Sequence, residues 1–233
     1  MFTITHYKTP PSAAIIRQIV QTTVDNVSDL HMILPQPSNP LYRVYEMTLA
    51  MEINQYIISL GPNDVHKAGL VVATDDSVPE KVVGFLLYLA ATSVETVCAI
   101  SYMAVHAGRR RQGIARAMVA EALQRHPQAT LTCTVEKVPY YEAMGFKVAG
   151  ARLTQVTMST WDYTDDVACV VLDATQFMYS TEVRALHSYL VQRNGLKAMK
   201  DAERKQAREI EREITRAETF AAARLAGAAQ APA

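Results

Sequence analysis

One stretch of the chain, from Tyr102 to Met118, constrains the fold more than any other. An apolar run typical of a β-strand ends near Val105, and a helical pattern begins near Gln112. The residues between them include three successive arginines, and a glycine lies on either side of that arginine run. A glycine-containing turn from a strand into a helix presents unpaired backbone N–H groups and the positive end of the helix dipole. The sequence therefore predicts a cradle for an anion such as pyrophosphate at this turn.

The bulk composition indicates a globular protein without a global charge preference. The chain has 233 residues, 49% of them hydrophobic, which suits one domain of ordinary size plus an extension. Lys+Arg and Asp+Glu both number 23, so no net charge directs the protein to nucleic acid or a membrane, although local basic patches remain open. Three widely spaced cysteines, Cys98, Cys133 and Cys169, fit no zinc pattern and are expected to be buried, reduced thiols.

Targeting and metal-binding signals are absent from the sequence pattern. The N-terminal residues lack a basic region followed by an apolar core, and there is no run of 18 apolar residues. We therefore expect a cytoplasmic protein with no membrane association. The histidines show no ligand spacing, so no metal is expected.

The N-terminal third is predicted to hold a strand and two helices. Residues 2–7 alternate as a strand, and Ser12 is a candidate N-cap for a helix to about residue 27. A second helix is predicted from about Leu41 to Leu60, ending at a Gly-Pro-Asn breaker. Three prolines make the segment Leu30–Pro40 a loop. This loop is either a substrate lid or a plain connector.

The rest of the domain alternates strands with helices. Strands are expected at 69–74, 81–90, 95–105 and 129–135, helices at 111–126 and 138–144, and a further strand from Phe146. Val156–Trp161 and Val167–Leu172 are predicted to form a final hairpin. The order is strand, two helices, three strands, turn, helix, strand, short helix, strand and hairpin.

A change of character near residue 176 predicts a C-terminal helical extension. Alternating charges from Asp201 to Thr219, at helical spacing, indicate a long solvated helix that ends in an alanine-rich tail. We therefore divide the chain into a domain at 1–175 and an extension at 176–233. The helix is left open between packing on the domain, pairing with a second copy or a partner protein, and fraying.

Two motifs resemble those of the GNAT superfamily of acyl-CoA-dependent N-acetyltransferases. The first is Met103-x-Val105 followed by Arg110-Arg-Gln-Gly-Ile-Ala115, which matches the family's pyrophosphate turn. The second is Tyr140-Tyr-Glu-Ala-Met-Gly-Phe146, which matches its short helix and the start of the next strand. The resemblance covers roughly residues 2–174.

The resemblance implies an α/β (α+β) fold with a mixed, mostly antiparallel central sheet flanked by helices. In this family strand four parts from strand five, and the pantetheine arm of coenzyme A fills the gap like a missing strand. Strand four would be Glu95–Val105. The residues implied in binding acetyl-CoA, the expected cosubstrate, are Met103, Ala104 and Val105 for the pantetheine, and Arg110, Arg111, Gln112, Gly113, Ile114 and Ala115 for the pyrophosphate. One arginine of Arg109–Arg111 is a candidate for the 3′-phosphate, and at least one is expected to be solvated.

The chemistry implied by the resemblance is direct attack of a neutral amine on the thioester, which needs a base and an acid. Tyr141 matches the family position beside the sulfur and is the candidate acid, because a phenol can donate a proton. Glu95, at the mouth of strand four, is the first candidate for the base. Ser101 and His106 are alternatives that would act through water.

The sequence thus favours an N-acetyltransferase that uses acetyl-CoA. The acceptor is left open between a small amine, a protein lysine or N-terminus, and an aminoacyl-tRNA. The competing interpretation is a non-catalytic module that binds acyl-CoA or uses the fold as a scaffold, with the C-terminal helix recruiting a partner. A P-loop nucleotide enzyme is disfavoured because no Gly-Lys-Ser/Thr follows the turn.

Overall fold

The computed structural model describes residues 1–33, 35–162 and 168–229, and within them the chain forms one seven-stranded sheet. The strands lie in the order β1-β2-β3-β4-β5-β7-β6. Every neighbouring pair in this sheet is antiparallel except β4 and β5. The strands are β1 (Phe2–Tyr7), β2 (Ala68–Asp75), β3 (Val82–Ala90), β4 (Val97–Val105), β5 (Gln128–Cys133), β6 (Lys147–Arg152) and β7 (Gln155–Ser159). The predicted mixed, mostly antiparallel sheet is confirmed.

Helices cover both faces of this sheet. Those in the described residues are α1 (Ala13–Val24), α2 (Val27–Leu30), α3 (Tyr42–Ile58), α4 (Ile114–Arg125), α5 (Val138–Glu142), α6 (Thr175–Met178), α7 (Thr181–Asn194) and α8 (Leu196–Ala229). Helices α1 and α3 pack on one face through a core that includes Ile19, Ile53 and Phe85. Helices α4 and α5 pack on the other face around Met118 and Phe146. Short 3₁₀ turns at Ala107–Arg109 and Val135–Lys137 follow β4 and β5.

Strands β4 and β5 pair over four residues and then separate. Their parallel register runs from Val97 opposite Gln128 to Ile100 opposite Leu131. Strand β4 continues to Val105 beside β3, but β5 no longer accompanies it. The sheet therefore has a gap on the β5 side of β4, next to the turn singled out in the sequence.

A β-bulge at Ser101 decides which backbone groups of β4 face this gap. Leu87 pairs with Tyr102 and Tyr88 pairs with Ile100, so Ser101 is an extra residue on β4. Beyond the bulge, the His106 amide donates to the Val83 carbonyl at 2.9 Å.

The direction of that hydrogen bond fixes the direction of its neighbours on the strand. Because successive residues of an antiparallel strand point their amides to opposite sides, the amides of Tyr102 and Ala104 face β3. The amides of Met103 and Val105 then face the gap.

Helix α8 packs on the domain and also holds the proline-rich loop. Its buried residues include Met199 beside α3 and α7, and Ala217 in the core of the α4 face. The side-chain amide of Gln206 donates to the Ile33 carbonyl at 2.9 Å, and the side-chain amide of Asn39 donates to the Ala202 carbonyl at 3.2 Å. The loop that follows α2 is thus fixed to a helix that is distant in the chain: Asn39 and Gln206 are 167 residues apart.

The predicted final hairpin is wrong. Strand β7 pairs with β6 through a turn at Leu153 and Thr154, not with residues 168–172. Residues 168–172 form no strand; the Cys169 thiol donates to the Leu89 carbonyl at 3.4 Å, and the Leu172 amide donates to the Tyr56 hydroxyl at 2.7 Å. Residues 163–167, which include the start of the predicted second strand, lie outside the described residues.

No helix in the described part of the chain is both long enough and apolar enough to cross a membrane.

Candidate active site

The turn after β4 presents a run of free amides. Gly113 caps helix α4 in the left-handed region, with φ of 80°, and contributes no side chain. The first hydrogen bond of the helix is from the Ala117 amide to the Gly113 carbonyl, at 3.0 Å. The amides that precede it have no hydrogen-bond acceptor among the described residues: Arg111, Gln112, Gly113, Ile114, Ala115 and Arg116. Free amides at the positive end of a helix dipole are an arrangement suited to an anion, as the sequence predicts for this turn.

The first part of the turn is held by its own hydrogen bonds. The Arg110 amide donates to the Ala107 carbonyl at 3.4 Å, and the His106 ring accepts from the Gly108 amide at 3.3 Å. The backbone of Arg110 is thus already hydrogen-bonded within the turn, and His106 stabilises the turn. The predicted residues whose amides remain free are Arg111 to Ala115.

The three arginines of the turn have three different environments. Arg109 forms an ion pair with Asp75 at 2.7 Å. Arg110 donates to the Asn26 side chain at 2.5 Å and to the Val105 carbonyl at 3.3 Å. It also lies 3.8 Å from the Asp29 carboxylate of α2, so it ties α2 to the end of β4. Arg111 has no side-chain partner in the part of the chain that the structure describes, and it is exposed. Of the three, Arg111 is therefore the one free to bind an anion.

A cavity of about 670 Å³ opens where β4 and β5 part. Ser101, Tyr102 and Met103 line it from β4, and Thr132 and Cys133 line it from β5. Residues from α2 and α3, from the loop after α2, and from the segment 168–174 complete its walls. The cavity therefore joins the two faces of the sheet through the gap.

Tyr141 lines this cavity from the face covered by α4 and α5. Its side chain is 9% exposed, and its ring packs edge-on against Phe146 with the ring centres 5.9 Å apart. Gly145, with φ of 95°, allows the chain to turn after α5 so that Phe146 can reach this position. Burial raises the pKa of the Tyr141 phenol, so the hydroxyl stays protonated at neutral pH and can donate.

Glu95 lies away from this cavity. It is an exposed residue in the connection before β4, at the end of that strand remote from the turn, and its carbonyl contacts the His126 ring at 2.7 Å. It is not among the residues that line the cavity, whereas Ser101 is. The placement of Glu95 gives no support to a direct role as a base.

The structure brings a different carboxylate, Glu52, into the cavity. It lies on α3, is half-buried, and accepts a hydrogen bond from the Tyr102 hydroxyl at 2.7 Å. Burial raises the pKa of the Glu52 carboxyl, and the hydrogen bond from Tyr102 partly offsets this effect. The available sequence signal is a glutamate at helical spacing from Leu49 and Tyr56, within an apolar stripe.

The sheet is mixed, and in the described part of the chain its one parallel pair of strands, β4 and β5, separates beyond Ile100. A turn with backbone amides unpaired among the described residues follows β4. These features together define a GNAT fold. Residues 66–148 match the family model described as "Acetyltransferase (GNAT) domain". This segment contains both the arginine-rich turn and Tyr141. This part of the chain is similar to the GNAT acetyltransferase domain, which confirms the resemblance drawn from the sequence.

Solved structures agree at the level of the fold. The chain is similar to the PaiA N-acetyltransferase of Thermoplasma acidophilum in complex with coenzyme A, with TM-score 0.51, 11% identity, and coverage of 67% of this chain and 98% of that one. It is also similar to aminoglycoside 6′-acetyltransferase type Ii, with TM-score 0.51, 14% identity, and coverage of 70% and 98%. A search of curated protein sequences gave no match.

We expect the replacement Glu52→Gln to stabilise the protein at neutral pH. A carboxyl whose folded pKa is raised favours the folded state below its ordinary pKa of 4.5, and that contribution is lost as the pH rises through the folded pKa. Glutamine stays neutral and can still accept the Tyr102 hydrogen bond. Melting curves from pH 4 to pH 8 should show a higher midpoint for the variant at pH 7 and a shrinking difference towards pH 4.

Glu46→Gln is the matched control for this prediction. Glu46 lies on the same helix but forms an ion pair with Arg43 at 2.7 Å and is outside the cavity. Its replacement should not raise the midpoint at pH 7, because Glu46, unlike Glu52, has an arginine partner and the replacement removes that ion pair. A Glu52→Gln midpoint at or below wild type at pH 7 would contradict the assignment of a costly buried charge.

Proposed function

We propose that this protein transfers an acetyl group from acetyl-CoA to an amine by direct attack within a ternary complex. The observation that carries the proposal is the gap after Ile100 and Leu131, which leads from the free-amide turn to a cavity lined by Tyr141. A ligand with an anionic head, an extended arm and a reactive end fits this sequence of features. Coenzyme A thioesters have this construction.

The cosubstrate would lie along β4 with its pyrophosphate at the turn. Met103 and Val105 are the residues whose backbone groups face the gap, so they are proposed to pair with the pantetheine amides. Ala104 supports the arm from within the strand, with its own backbone paired to β3. The amides from Arg111 to Ala115 are proposed to bind the pyrophosphate, and the Arg111 guanidinium to add charge.

Tyr141 is proposed to protonate the departing thiolate. Its protonated phenol lines the cavity beside the gap, where the sulfur of an arm laid along β4 would lie. Thr132 and Cys133 of β5 line the same cavity. The proton that Tyr141 gives up is recovered from the attacking amine.

A product screen would test the proposed activity as a whole. The protein would be incubated with acetyl-CoA and separate panels of small amines, peptides and aminoacyl-tRNA, and acetylated products detected by mass spectrometry. A product that requires acetyl-CoA supports the enzyme. Tight acetyl-CoA binding without any product would favour the non-catalytic module.

The turn assignment predicts that Gly113→Asp abolishes acetyl-CoA binding. Aspartate places an anion among the amides proposed for the pyrophosphate. Asparagine has the same size and also tolerates a positive φ, so Gly113→Asn is the matched control. Calorimetry should show at least a 10²-fold weaker affinity for the aspartate variant than for the asparagine variant, the scale expected of a like charge placed against an anion. Equal affinities for the two variants would rule out the pyrophosphate site.

The acid assignment predicts that Tyr141→Phe lowers kcat about 10²-fold, the lower end of the range for general acid catalysis. The affinity for acetyl-CoA should change little, because phenylalanine preserves the ring that packs on Phe146. Steady-state rates would be measured with an amine identified by the screen. Tyr140→Phe is the control, since Tyr140 is 48% exposed on the same helix and does not line the cavity.

The outcome of this pair is read from the difference between the two variants. Turnover of Tyr141→Phe at the wild-type rate, with acetyl-CoA still bound, would remove Tyr141 from the direct acid role. An equal loss of kcat in both variants would show that turnover depends on the integrity of the helix and not on the Tyr141 hydroxyl.

A further inference from the structure

The Glu52 carboxylate is held in the cavity with one oxygen occupied and one open. The Tyr102 hydroxyl donates to Oε1 at 2.7 Å. Oε2 has no hydrogen-bond donor among the described residues, and it is not one of their fully buried, unpartnered atoms. One carboxylate oxygen is thus fixed in place, and the other is available to a ligand.

The charge of Glu52 is not balanced by the protein. Residues 1–33, 35–162 and 168–229 contain no lysine, arginine or histidine within ion-pair distance of it. The carboxylate is half-buried, and burial raises its pKa. A half-buried carboxylate without a cation is costly to the fold and becomes favourable only when a positive group joins it.

The other charged residues around the cavity do not add to an anionic site. Asp29 is paired with Lys137 at 2.8 Å. Arg152 lines the rim and is positive. Burial lowers the pKa of His31 to about 4, so its ring is neutral at pH 7. Glu52 is therefore the single uncompensated negative group among the described residues of the cavity wall.

The wall around Glu52 is apolar and aromatic. Leu49 and Tyr56 flank it on α3, and Leu89 of β3 also lines the cavity; the three residues are at most 2% exposed. Two apolar residues at the rim, Leu153 and Val171, are 55% and 62% exposed. Apolar side chains exposed at the mouth of a cavity are a surface that an apolar ligand would cover.

Glu52 and Tyr141 approach the gap from opposite faces of the sheet. Tyr141 belongs to the core under α4 and α5, whereas Tyr102, which holds Glu52, packs into the core under α1 and α3. Both residues line the one cavity that passes through the gap. A thioester laid along β4 would have the phenol on one side and the carboxylate on the other.

We propose that Glu52 binds the ammonium group of the acceptor and accepts its proton, and that the acceptor is a small monoamine with an aromatic or aliphatic body. This inference rests on the proposed function, since it concerns the acceptor side of the same site. One negative group matches one ammonium, and the apolar wall matches the rest of such a molecule. A polycation would leave further charges against apolar side chains and beside Arg152, at a high cost in desolvation.

The proposed step balances in atoms and protons. The acceptor enters as R–NH₃⁺, and Glu52 takes one proton to leave the neutral amine. The amine nitrogen forms a bond to the acetyl carbon, and the carbon–sulfur bond breaks. Tyr141 gives its proton to the thiolate and recovers one from the nitrogen, so the products are the amide, CoA–SH and one proton that Glu52 releases to solvent.

The test uses the full chain, acetyl-CoA and four acceptors measured separately: 2-phenylethylamine, spermidine, kanamycin and a short peptide with a free N-terminus. Initial rates of CoA release give kcat/KM for wild type, Glu52→Gln and Glu46→Gln. We expect wild type to use 2-phenylethylamine with the highest kcat/KM. Glu52→Gln should lower that value about 10²-fold, the scale of losing a general base, while acetyl-CoA affinity stays unchanged. Glu46→Gln should match wild type.

The outcomes separate this inference from the proposed function. Wild type that acetylates spermidine, kanamycin or the peptide more efficiently than 2-phenylethylamine is an acetyltransferase with another acceptor, which overturns the inference alone. Equal kcat/KM for wild type and Glu52→Gln also overturns it. Acetyl-CoA binding without transfer to any of the four acceptors overturns the inference, and the wider product screen then decides the proposed function.

Discussion

The separation of β4 from β5 is the feature on which the rest of this site depends. The two strands are joined by only four residue pairs, and their divergence opens the sheet from one face to the other. The bulge at Ser101 sets the direction of the backbone groups along the open edge. Before the bulge, the Thr96 carbonyl accepts a hydrogen bond from the Gln128 backbone amide on β5. The backbone groups of even-numbered residues therefore face β5 in that part of β4. One extra residue reverses this order and turns Met103 and Val105 towards the gap.

The Glu52 carboxylate, in the part of the cavity proposed for the acceptor, lowers the stability of the fold. Glu52 has no cation beside it, and its hydrogen bond from Tyr102 fixes its position without neutralising it. The loop after α2 completes this part of the cavity, and α8 holds that loop through Gln206. The long C-terminal helix therefore contributes to the cavity wall indirectly, although it lies outside the segment that matches the family model.

The sequence was most informative where the structure depends on neighbours in the chain. The strand, the glycine turn and α4 follow from local pattern, and so does the packing of Tyr141 on Phe146 across Gly145. The roles of Arg109 and Arg110 depend on Asp75 and Asn26, which lie 34 and 84 residues away. No local pattern could assign these ion-pair and hydrogen-bond partners.

The wrong hairpin prediction and the unsupported choice of Glu95 have the same origin. Residues 168–172 have the composition of a strand, but β7 pairs with β6, and the segment packs against Leu89 and Tyr56 instead. Glu95 was favoured as a base because it lies at the mouth of the fourth strand, whereas its exposed side chain is not among the residues that line the cavity. Glu52 was missed because the direction in which a helix faces is set by tertiary packing. Strand pairing and helix orientation are both non-local, so the sequence alone constrains them weakly.

The central claim is that the gap beside β4 receives the pantetheine arm of coenzyme A. Residue-resolved amide hydrogen exchange, measured by NMR with and without saturating coenzyme A, tests it most directly. The account predicts that coenzyme A slows exchange at Met103 and Val105 and leaves Ala104, whose amide is already bonded to β3, unchanged. Exchange at Met103 and Val105 that is unaffected by bound coenzyme A would contradict it.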